Sequence, residues 1–373
     1  PLPPVTALIP AFNEGAVIAR TIDSVLASDV PVDVVVIDDG SSDDTATLVS
    51  RRYLREPRVR LIRQRNGGKA AALRTGVAAC RTEVIVALDA DTLFAPTTVR
   101  RLIEPFCDAR VAAVAGTAEV GNVETLWARW QAVEYLTQQE LERRAWDAVA
   151  AVPIVPGAVG AWRRRALVEA GSFSSDTLAE DTDLAMTLCR RGWRVVHAAA
   201  ARARTEVPAT RSDLVKQRAR WTFGVLQALW KHRRAVTERR AGAFGRIVWP
   251  AMMLFLIALP LAAPAALLAL IVALIAHNLA PALLAAAVLA VVEFAQFTVA
   301  ATLARRSGAT HTWRLAAALF TARICYRPIL WGIALRSIAR LADGVPLGWG
   351  KLDRRNTAVA YAAATASARA ANA

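Results

Sequence analysis

Two carboxylates separated by one residue stand at the end of an apolar stretch of this sequence. The segment VIVALDADTLF, residues 84–94, begins as a β-branched strand and ends with Asp89 and Asp91. Such a pair can jointly attract a hard divalent cation, directly or through water, and the cation can in turn hold a diphosphate. The alternative is an aspartate that caps the helix predicted near Pro96, and the pair by itself favours neither interpretation.

Polar groups at two neighbouring strand ends favour the ligand-binding alternative. VIDDGSSDDT places Asp38 and Asp39 where an acid can accept hydrogen bonds from a base or a ribose. The later pair, Asp43 and Asp44, fits ordinary helix-start residues. In RNGGKAAAL the two glycines permit a close approach of backbone, and Lys69 at a helix start can reach a phosphate. A glycine turn before a helix is common, so this last segment is weak evidence alone.

Two more segments carry charged side chains at helical spacing. In LAEDTDL, Glu180 and Asp181 open a predicted helix, where the positive end of the helix dipole also favours acids. QRARW places Gln217, Arg220 and Trp221 at positions i, i+3 and i+4, which share one helical face. A cation beside an indole suits a diphosphate next to a sugar ring. An amphipathic helix with its charges at a membrane surface is a compatible alternative.

The elements that must position these residues alternate between strands and helices over residues 5–117. Five short runs rich in β-branched residues, VTALI, VDVVVI, VRLI, EVIVAL and VAAVAGT, are separated by amphipathic stretches. Continuous apolar strands between helices predict an α/β fold with a mostly parallel sheet covered on both faces. Such sheets bind ligands beyond the carboxyl ends of their strands, where the polar segments lie.

A basic segment leads into a long apolar region. Residues 202–246 contain twelve Lys or Arg against three acids, and in residues 247–304 only His277 and Glu293 can titrate. These 58 residues fit two transmembrane helices with a turn at AHNLAP, residues 276–281. Lys and Arg flank both helices but are absent from the turn. We therefore expect the flanks and the α/β domain in the cytoplasm, at the inner cell membrane.

The chain divides into five predicted parts. Residues 313–341 are apolar but interrupted by five arginines, which favours a helix at the membrane interface over a third span. The low-complexity end of the chain predicts a disordered tail. The parts are an α/β core, 1–200; a basic amphipathic interfacial segment with the QxxRW motif, 201–246; two transmembrane helices, 247–304; an interfacial or third membrane helix, 305–345; and a basic tail, 346–373.

Composition narrows the class of protein further. Lys and Arg number 46 against 31 Asp and Glu, but the surplus lies beside the apolar region and indicates a membrane-facing collar, not nucleic-acid binding. The four cysteines, Cys80, Cys107, Cys189 and Cys325, lack a CxxC pair, which favours reduced thiols. The chain starts almost directly on a strand, without Met or a secretory signal, so we expect a further N-terminal membrane segment or domain.

Six motifs resemble, in content and order, those of family 2 inverting glycosyltransferases. They are VTALIPAFNE, VIDDGSSDDT, NGGKAAAL, ALDADT, LAEDTDL and QRARW, and the resemblance covers residues 5–304. It is strongest to the processive, membrane-bound branch, which includes cellulose, chitin, hyaluronan and poly-N-acetylglucosamine synthases. The resemblance implies a GT-A fold, a UDP-sugar donor and a magnesium or manganese ion.

By this resemblance the strand-end residues bind the donor. The PAFNE loop, with Glu14, and Asp39 would hold the uridine, and Lys69 would assist. Asp91, together with Asp89, would ligate the metal that carries the diphosphate. The donor-binding residues on this basis are Ala11, Glu14, Asp39, Lys69, Asp89, Gln217, Arg220 and Trp221.

The resemblance also implies the chemistry. The acid that matches Asp181 is the general base, with Glu180 beside it, and takes the proton of an acceptor hydroxyl as its oxygen attacks the anomeric carbon. A single displacement inverts that centre, so an α-linked donor gives a β-linked product. The family usually has Thr before these acids, where this chain has Ala179. The QxxRW motif favours polymerisation and by resemblance contacts the pyrophosphate and, through Trp221, the acceptor end.

Other aromatic residues are weaker candidates for acceptor binding. PGAVGAWRR resembles the segment that lines the acceptor entrance, with Trp162 as a candidate for stacking on a sugar. A packed tryptophan after a glycine-rich turn fits this segment equally well. Trp127, Trp130 and Trp146 could line the acceptor path, but their spacing fits a core or interface stripe better.

Three rival functions use the same segments. A dinucleotide-dependent oxidoreductase needs GxGxxG after the first strand, where this chain has PAFNEG. A membrane-anchored binding protein without catalysis would not need Asp91, Asp181 and the QxxRW face together. A transferase of one sugar to a lipid phosphate stays open, because two spanning helices are few for a polymer channel. The preferred prediction is a processive N-acetylglucosaminyltransferase whose partners are the UDP-sugar, the polysaccharide, the bilayer and, where more helices are needed, a membrane or export subunit.

Overall fold

A mixed sheet forms the centre of the N-terminal part of the protein. The computed structural model describes residues 2–309, 312–344 and 357–358. Within these residues the strands are β1 (Val5–Ala11), β2 (Asp33–Asp38), β3 (Val59–Arg63), β4 (Val84–Ala87), β5 (Leu93–Phe94), β6 (Val111–Val120), β7 (Gly160–Arg163) and β8 (Arg194–Thr205). Their order across the sheet is β3-β2-β1-β4-β7-β6-β8-β5.

The predicted parallel arrangement is confirmed for the first half of the sheet. Strand β1 pairs in parallel with β2, where Ala11 lies opposite Asp38, and with β4, where Leu8 lies opposite Ala87. The VAAVAGT run forms β6, but β7 lies between β6 and β4 and is antiparallel to both. All four residues of β7 are buried, so this short segment can fill the interior position.

Helices cover both faces of the sheet. In β2, Val34 and Val36 pack into one apolar layer, while Val35 and Ile37 pack into the other, which explains the continuous apolar runs. A π-helical turn, Gln138–Glu142, joins α5 to α6 in one long helix. The helices of this part are α1 (Ile18–Leu26), α2 (Thr45–Arg52), α3 (Lys69–Ala79), α4 (Thr98–Ile103), α5 (Leu126–Thr137), α6 (Arg143–Ala148), α7 (Arg164–Ala170), α8 (Glu180–Arg190) and α9 (Arg211–Lys231).

Apolar helices form the C-terminal part. They are α10 (Trp249–Met253), α11 (Leu259–Ile275), α12 (Ala280–Arg306), α13 (Ala316–Thr321) and α14 (Arg327–Ala342). The turn between α11 and α12 lies within the predicted AHNLAP segment.

Three helical stretches in the described part of the chain are long and apolar enough to cross a membrane. By length and composition they are Phe244–Ala262, Ala280–Arg306 and Ala316–Ala342. Their outer faces expose large apolar side chains such as Val291 and Phe320, 69% and 71% exposed, which suits contact with lipid. The last stretch corresponds to the segment for which interfacial and spanning positions were both open. Most of the predicted tail lies outside the described residues.

Candidate active site

The loops after β1 and β2 are joined into one polar wall at the carboxyl edge of the sheet. Asn13 has a φ of 55°, and its Oδ1 accepts hydrogen bonds from the backbone N–H of Ser42 at 2.7 Å and of Asp43 at 3.3 Å. The N–H of Glu14 donates to Thr45 Oγ1 at 2.8 Å. The two loops predicted to hold a nucleotide therefore fix each other.

Asp39 fixes the turn that leads into α3. Its buried carboxylate accepts the backbone N–H of Gly67 at 2.9 Å and of Gly68 at 2.8 Å, and its own N–H donates to the carbonyl of Ala11 at 2.8 Å. Gly68 has a φ of 82°, a conformation that favours glycine. Asp39 thus holds the start of α3, and with it Lys69, against the end of β1. Its contact with a nucleotide stays a prediction.

Lys69 joins carboxylates from two separate loops. Its Nζ lies 2.5 Å from Asp89 Oδ1 and 3.5 Å from Glu180 Oε1. The side chains of Lys69 and Asp89 are 26% and 31% exposed, so a ligand can reach this cleft. Burial disfavours the charged lysine, but the charges of Asp89, Glu180 and Asp181 outweigh it and raise the pKa of Lys69. Lys69 is therefore a cation at neutral pH, surrounded by three acids.

Asp181 reaches the same cleft beside a glycine. The N–H of Gly157 donates to Asp181 Oδ2 at 2.9 Å, and a Cβ on Gly157 would lie 2.6 Å from Lys69 Nζ and 3.7 Å from Asp89 Oδ1. A side chain at this position would displace the lysine. Burial and the charge of Glu180 raise the pKa of Asp181 to about 6, although Lys69 opposes the shift. Asp89, Lys69 and Asp181 thus line one cleft.

Asp91 faces a different set of side chains from Asp89. It is 5% exposed and lines a small cavity together with Arg20, Thr21 and Glu206. The hydroxyl of Thr21 donates to the carbonyl between the two carboxylates at 2.6 Å and so fixes the DADT segment. The two acids at the end of β4 therefore have different protein neighbours.

The two carboxylates at this strand end carry oxygens of the type that divalent cations prefer. Across residues 2–309, 312–344 and 357–358, no group of three or more His, Cys, Asp or Glu side chains could hold a metal ion. Mg²⁺ commonly binds through one or two carboxylates and completes its shell with water and substrate phosphates. A metal site shared by Asp89 and Asp91 therefore stays a prediction, and it would depend on the substrate to complete the ligand shell.

Helix α9 packs closely against the start of α8. A Cβ on Gly224 would lie 2.8 Å from the backbone N of Ala179, the residue before the two acids of α8. At the C-terminal end of α9, the buried Asp183 accepts hydrogen bonds from Lys231 Nζ at 2.8 Å and His232 Nε2 at 2.9 Å. Burial disfavours the Asp183 carboxylate, but its bonds to His232 and Lys231 keep its pKa below the ordinary value. The QxxRW helix and the acidic helix therefore form one packed unit.

A cavity of about 490 Å³ lies between α9 and the apolar helices. Trp221 of the QxxRW motif lines this cavity, as do Trp130 and Trp146 of the α5–α6 helix. Gln217 is buried in the packing of α9, and Arg220 is half-buried. The motif thus contributes its aromatic residue to the cavity wall.

Charged residues and π-helical turns also line this cavity. Glu293 of α12 lies 3.1 Å from Arg323 and 2.9 Å from Arg327, and all three line the cavity. Charged residues within membrane-spanning segments commonly mark functional sites, as do π-helical turns. The π-helical turns that contribute lining residues are Gln138–Glu142, Leu254–Ala258 and Ala322–Tyr326.

The tryptophans predicted as candidates for acceptor binding lie either in the core or near the cavity. Trp162 is 1% exposed and packs edge to face against Phe173, with 5.5 Å between ring centroids. It belongs to the core, so the prediction that it stacks on an acceptor sugar is corrected in favour of the packed alternative. Trp127 packs edge to face on Trp130 at 5.0 Å, and Trp130 also lines the cavity. The position of Gly157 beside Lys69 is not predictable from the sequence, because no local signal distinguishes this residue from a turn glycine.

Sequence comparison connects these motifs to known proteins. The family described as "Glycosyltransferase like family 2" matches residues 3–224. Over 222 residues the chain is 30% identical to a poly-beta-1,6-N-acetyl-D-glucosamine synthase of Staphylococcus aureus (strain COL) and 27% identical to one of Staphylococcus epidermidis. The match covers 59% of this chain and 54% of each relative, so the chain spans about half the length of these curated relatives.

Structural comparison shows that the chain shares its fold with a protein of known structure. The mannosyltransferase PcManGT from Pyrobaculum calidifontis, solved in complex with GDP-Man and Mn²⁺, is similar with a TM-score of 0.62 and 22% sequence identity. The similarity covers 92% of this chain and 88% of that one, so it includes the apolar helices as well as the sheet.

Proposed function

The chain belongs to the glycosyltransferase-like family 2, and from this premise we propose that it is an inverting, UDP-sugar-dependent hexosyltransferase of the membrane. It transfers N-acetylglucosamine to the growing end of a β-linked polysaccharide. The names of the curated relatives, which are synthases of a polymer of this sugar, and the QxxRW motif support this choice. The observation that carries the proposal is the cleft in which Asp181 lies beside Lys69 and Asp89.

Asp181 acts as the general base. A pKa of about 6 keeps its carboxylate ionised at neutral pH and still basic enough to accept a proton in the transition state. Its oxygens accept the N–H of Gly157 and of Thr182, and a carboxylate has further lone pairs for an acceptor hydroxyl. The acceptor oxygen bonds to the anomeric carbon, the bond from that carbon to the UDP oxygen breaks, and the hydroxyl proton passes to Asp181. UDP leaves from the opposite face, so the anomeric centre inverts.

The donor binds along the polar edge of the sheet. Lys69 stands at the start of α3, where the helix dipole adds to its own charge in favour of a phosphate. The loops that contain Glu14 and Asp39 hold the uridine. A magnesium or manganese ion, held by Asp91 and Asp89, would neutralise charge on the departing diphosphate. The structurally similar mannosyltransferase was solved with Mn²⁺, which supports a divalent ion of this kind.

The cavity beside α9 receives the acceptor. Trp221 offers an aromatic face for the C–H face of a sugar ring, and Trp130 and Trp146 extend the same lining. Because the cavity lies between helices α5, α6 and α9 and the candidate membrane spans, the growing end would sit between the cytoplasmic part and the bilayer.

Labelled donors test the proposal directly. A panel of radiolabelled UDP-sugars is incubated with membranes that contain the chain and a divalent metal, and products are digested with linkage-specific glycosidases. We expect metal-dependent polymer from UDP-N-acetylglucosamine, lost in Asp181→Asn. Label in a lipid-extractable single-sugar product would instead favour the alternative, transfer to a lipid phosphate. Incorporation from no donor would contradict the proposal.

A further inference from the structure

Arg218, the second residue of QRARW, has surroundings that the motif itself does not explain. Its side chain is 9% exposed, and its Nη2 lies 2.8 Å from Glu134 Oε2 on α5. The same oxygen accepts a hydrogen bond from the hydroxyl of Tyr326 at 2.5 Å. Tyr326 belongs to the third candidate span, so one carboxylate joins α9, α5 and a membrane helix.

The guanidinium of Arg218 also lies against the tryptophan of the motif. Its Cζ is 4.7 Å from the centroid of the Trp221 ring and 5.6 Å from that of Tyr135. Within the described part of the chain, its buried Nε makes no hydrogen bond. An arginine can pair through one edge and stack through its planar face at the same time, which a lysine cannot do.

The position of this network separates it from an ordinary buried ion pair. Arg218, Glu134, Tyr326 and Trp221 all line the cavity of about 490 Å³. Desolvating two charges costs free energy, and an apolar pair of similar volume is often as stable, so packing alone gives little reason for charges here. A network that must hold an aromatic face toward a ligand does give such a reason.

We propose that Arg218 is a positioning residue for Trp221. Glu134 and Tyr326 hold the guanidinium, and the guanidinium holds the indole in the orientation in which its free face meets an acceptor sugar ring. The inference rests on the proposed function, because it needs an acceptor in the cavity. It also couples the acceptor-binding face to the third candidate span through Tyr326.

Substitutions of Arg218 separate pairing from stacking. Arg218→Lys keeps a positive charge to pair with Glu134, so this variant is expected to fold. Arg218→Met removes both the ion pair and the stacking on Trp221. Arg233→Met is the matched control. Arg233 lies over the ring of Trp230 on the C-terminal side of α9, also at 4.7 Å, but Trp230 is 63% exposed and outside the cavity lining.

The full chain in nanodiscs is assayed for the KM of an oligosaccharide acceptor and, separately, of the UDP-sugar donor. We expect the acceptor KM to rise about 5-fold to 30-fold in Arg218→Met, equivalent to ~1–2 kcal/mol of cation–π interaction, while the donor KM stays unchanged. Arg218→Lys and Tyr326→Phe should raise it less, and Arg233→Met should raise neither KM. Equal rises in both KM values, or none, would overturn the positioning role.

A second readout does not depend on transfer. With 5-fluorotryptophan in the protein, the ¹⁹F resonance lost in Trp221→Phe identifies Trp221. That resonance should shift in Arg218→Met and Arg218→Lys but not in Arg233→Met, and an unmoved resonance overturns the inference. If Trp221→Ala leaves the acceptor KM unchanged, the proposed acceptor site itself fails. If Trp221→Ala raises it but the Arg218 variants do not, only the role of Arg218 fails.

Discussion

Lys69 should set the pH dependence of transfer through its charge beside Asp181. A Cβ on Gly157 would lie 2.6 Å from Lys69 Nζ and 3.5 Å from Asp181 Oδ2, so the two charges are no more than about 6 Å apart. Unit charges at that distance interact by roughly 3 kcal/mol at an effective dielectric constant of about 20 and by roughly 0.7 kcal/mol in water. These limits correspond to a pKa shift of roughly 0.5 to 2 units.

The direction of the pKa shift follows from the proposed role of Asp181 as the general base. Asp181 must be unprotonated to accept a proton, so kcat/KM falls as the pH drops below its pKa of about 6. Lys69→Gln removes a nearby positive charge, which disfavours the carboxylate and raises the pKa of Asp181. The acidic limb of the profile should therefore move to higher pH by roughly 0.5 to 2 units. Lys69→Arg keeps the charge and is the control, with its limb near that of the wild type.

The assay is UDP release, recorded from about pH 5 to about pH 9 at one saturating metal concentration. The quantity to compare is kcat/KM for the donor, because it reports the ionisation of the free enzyme. Loss of donor binding alone would lower the plateau of Lys69→Gln without moving its acidic limb. An unmoved limb, or one displaced to lower pH, would refute the electrostatic link between Lys69 and Asp181.

Three other substitutions test the packing around the cleft. Gly157→Ala should lower kcat/KM by roughly 100-fold with little change in Tm, because its Cβ displaces the flexible end of a lysine. The control is Gly332→Ala, whose Cβ meets nothing within 4 Å and which should leave kcat/KM unchanged. Asp183→Asn should lower the free energy of unfolding by ~2 kcal/mol at neutral pH, measured by thermal unfolding, because it weakens two charge-assisted hydrogen bonds. The pKa of Asp183 is lowered in the folded state, so this stabilisation is present above the unfolded pKa and is lost as the pH falls through the folded pKa. The unfolding free energies of wild type and variant should therefore become equal at acidic pH. Trp162→Ala should lower the free energy of unfolding by ~3–5 kcal/mol in the same assay and leave the acceptor KM unchanged. A selective rise in the acceptor KM would instead show that Trp162 contributes to acceptor binding.

The meeting of the polar segments that are proposed to bind the donor could be predicted from the sequence, because it follows from the strand order. Parallel strands end at one edge of the sheet, so the polar segments after β1, β2 and β4 must meet there. The turn before Lys69 and the helix start at Glu180 are likewise visible as glycines and acids in sequence order. The turn predicted at AHNLAP, residues 276–281, follows from composition alone, and the structure has a turn there between α11 and α12.

The network around Arg218 could not be predicted from the sequence, because its contacts join distant segments. Glu134 and Tyr326 are 192 residues apart, and no periodicity relates them. The insertion of β7 between β4 and β6 depends on how a short buried strand fits the sheet. Trp162 lies on β7 and is buried there, whereas the sequence left a sugar-stacking and a packed position equally open for it.

The central claim is that Asp181 is the base of a glycosyl transfer whose donor lies beside Lys69 and Asp89. The most direct test compares wild type with Asp181→Asn for the affinity of UDP-N-acetylglucosamine by calorimetry and for labelled polymer formation on the same preparation. We expect donor affinity to persist while the transfer rate falls by roughly 10²- to 10⁴-fold. Transfer by Asp181→Asn at the wild-type rate would contradict the account.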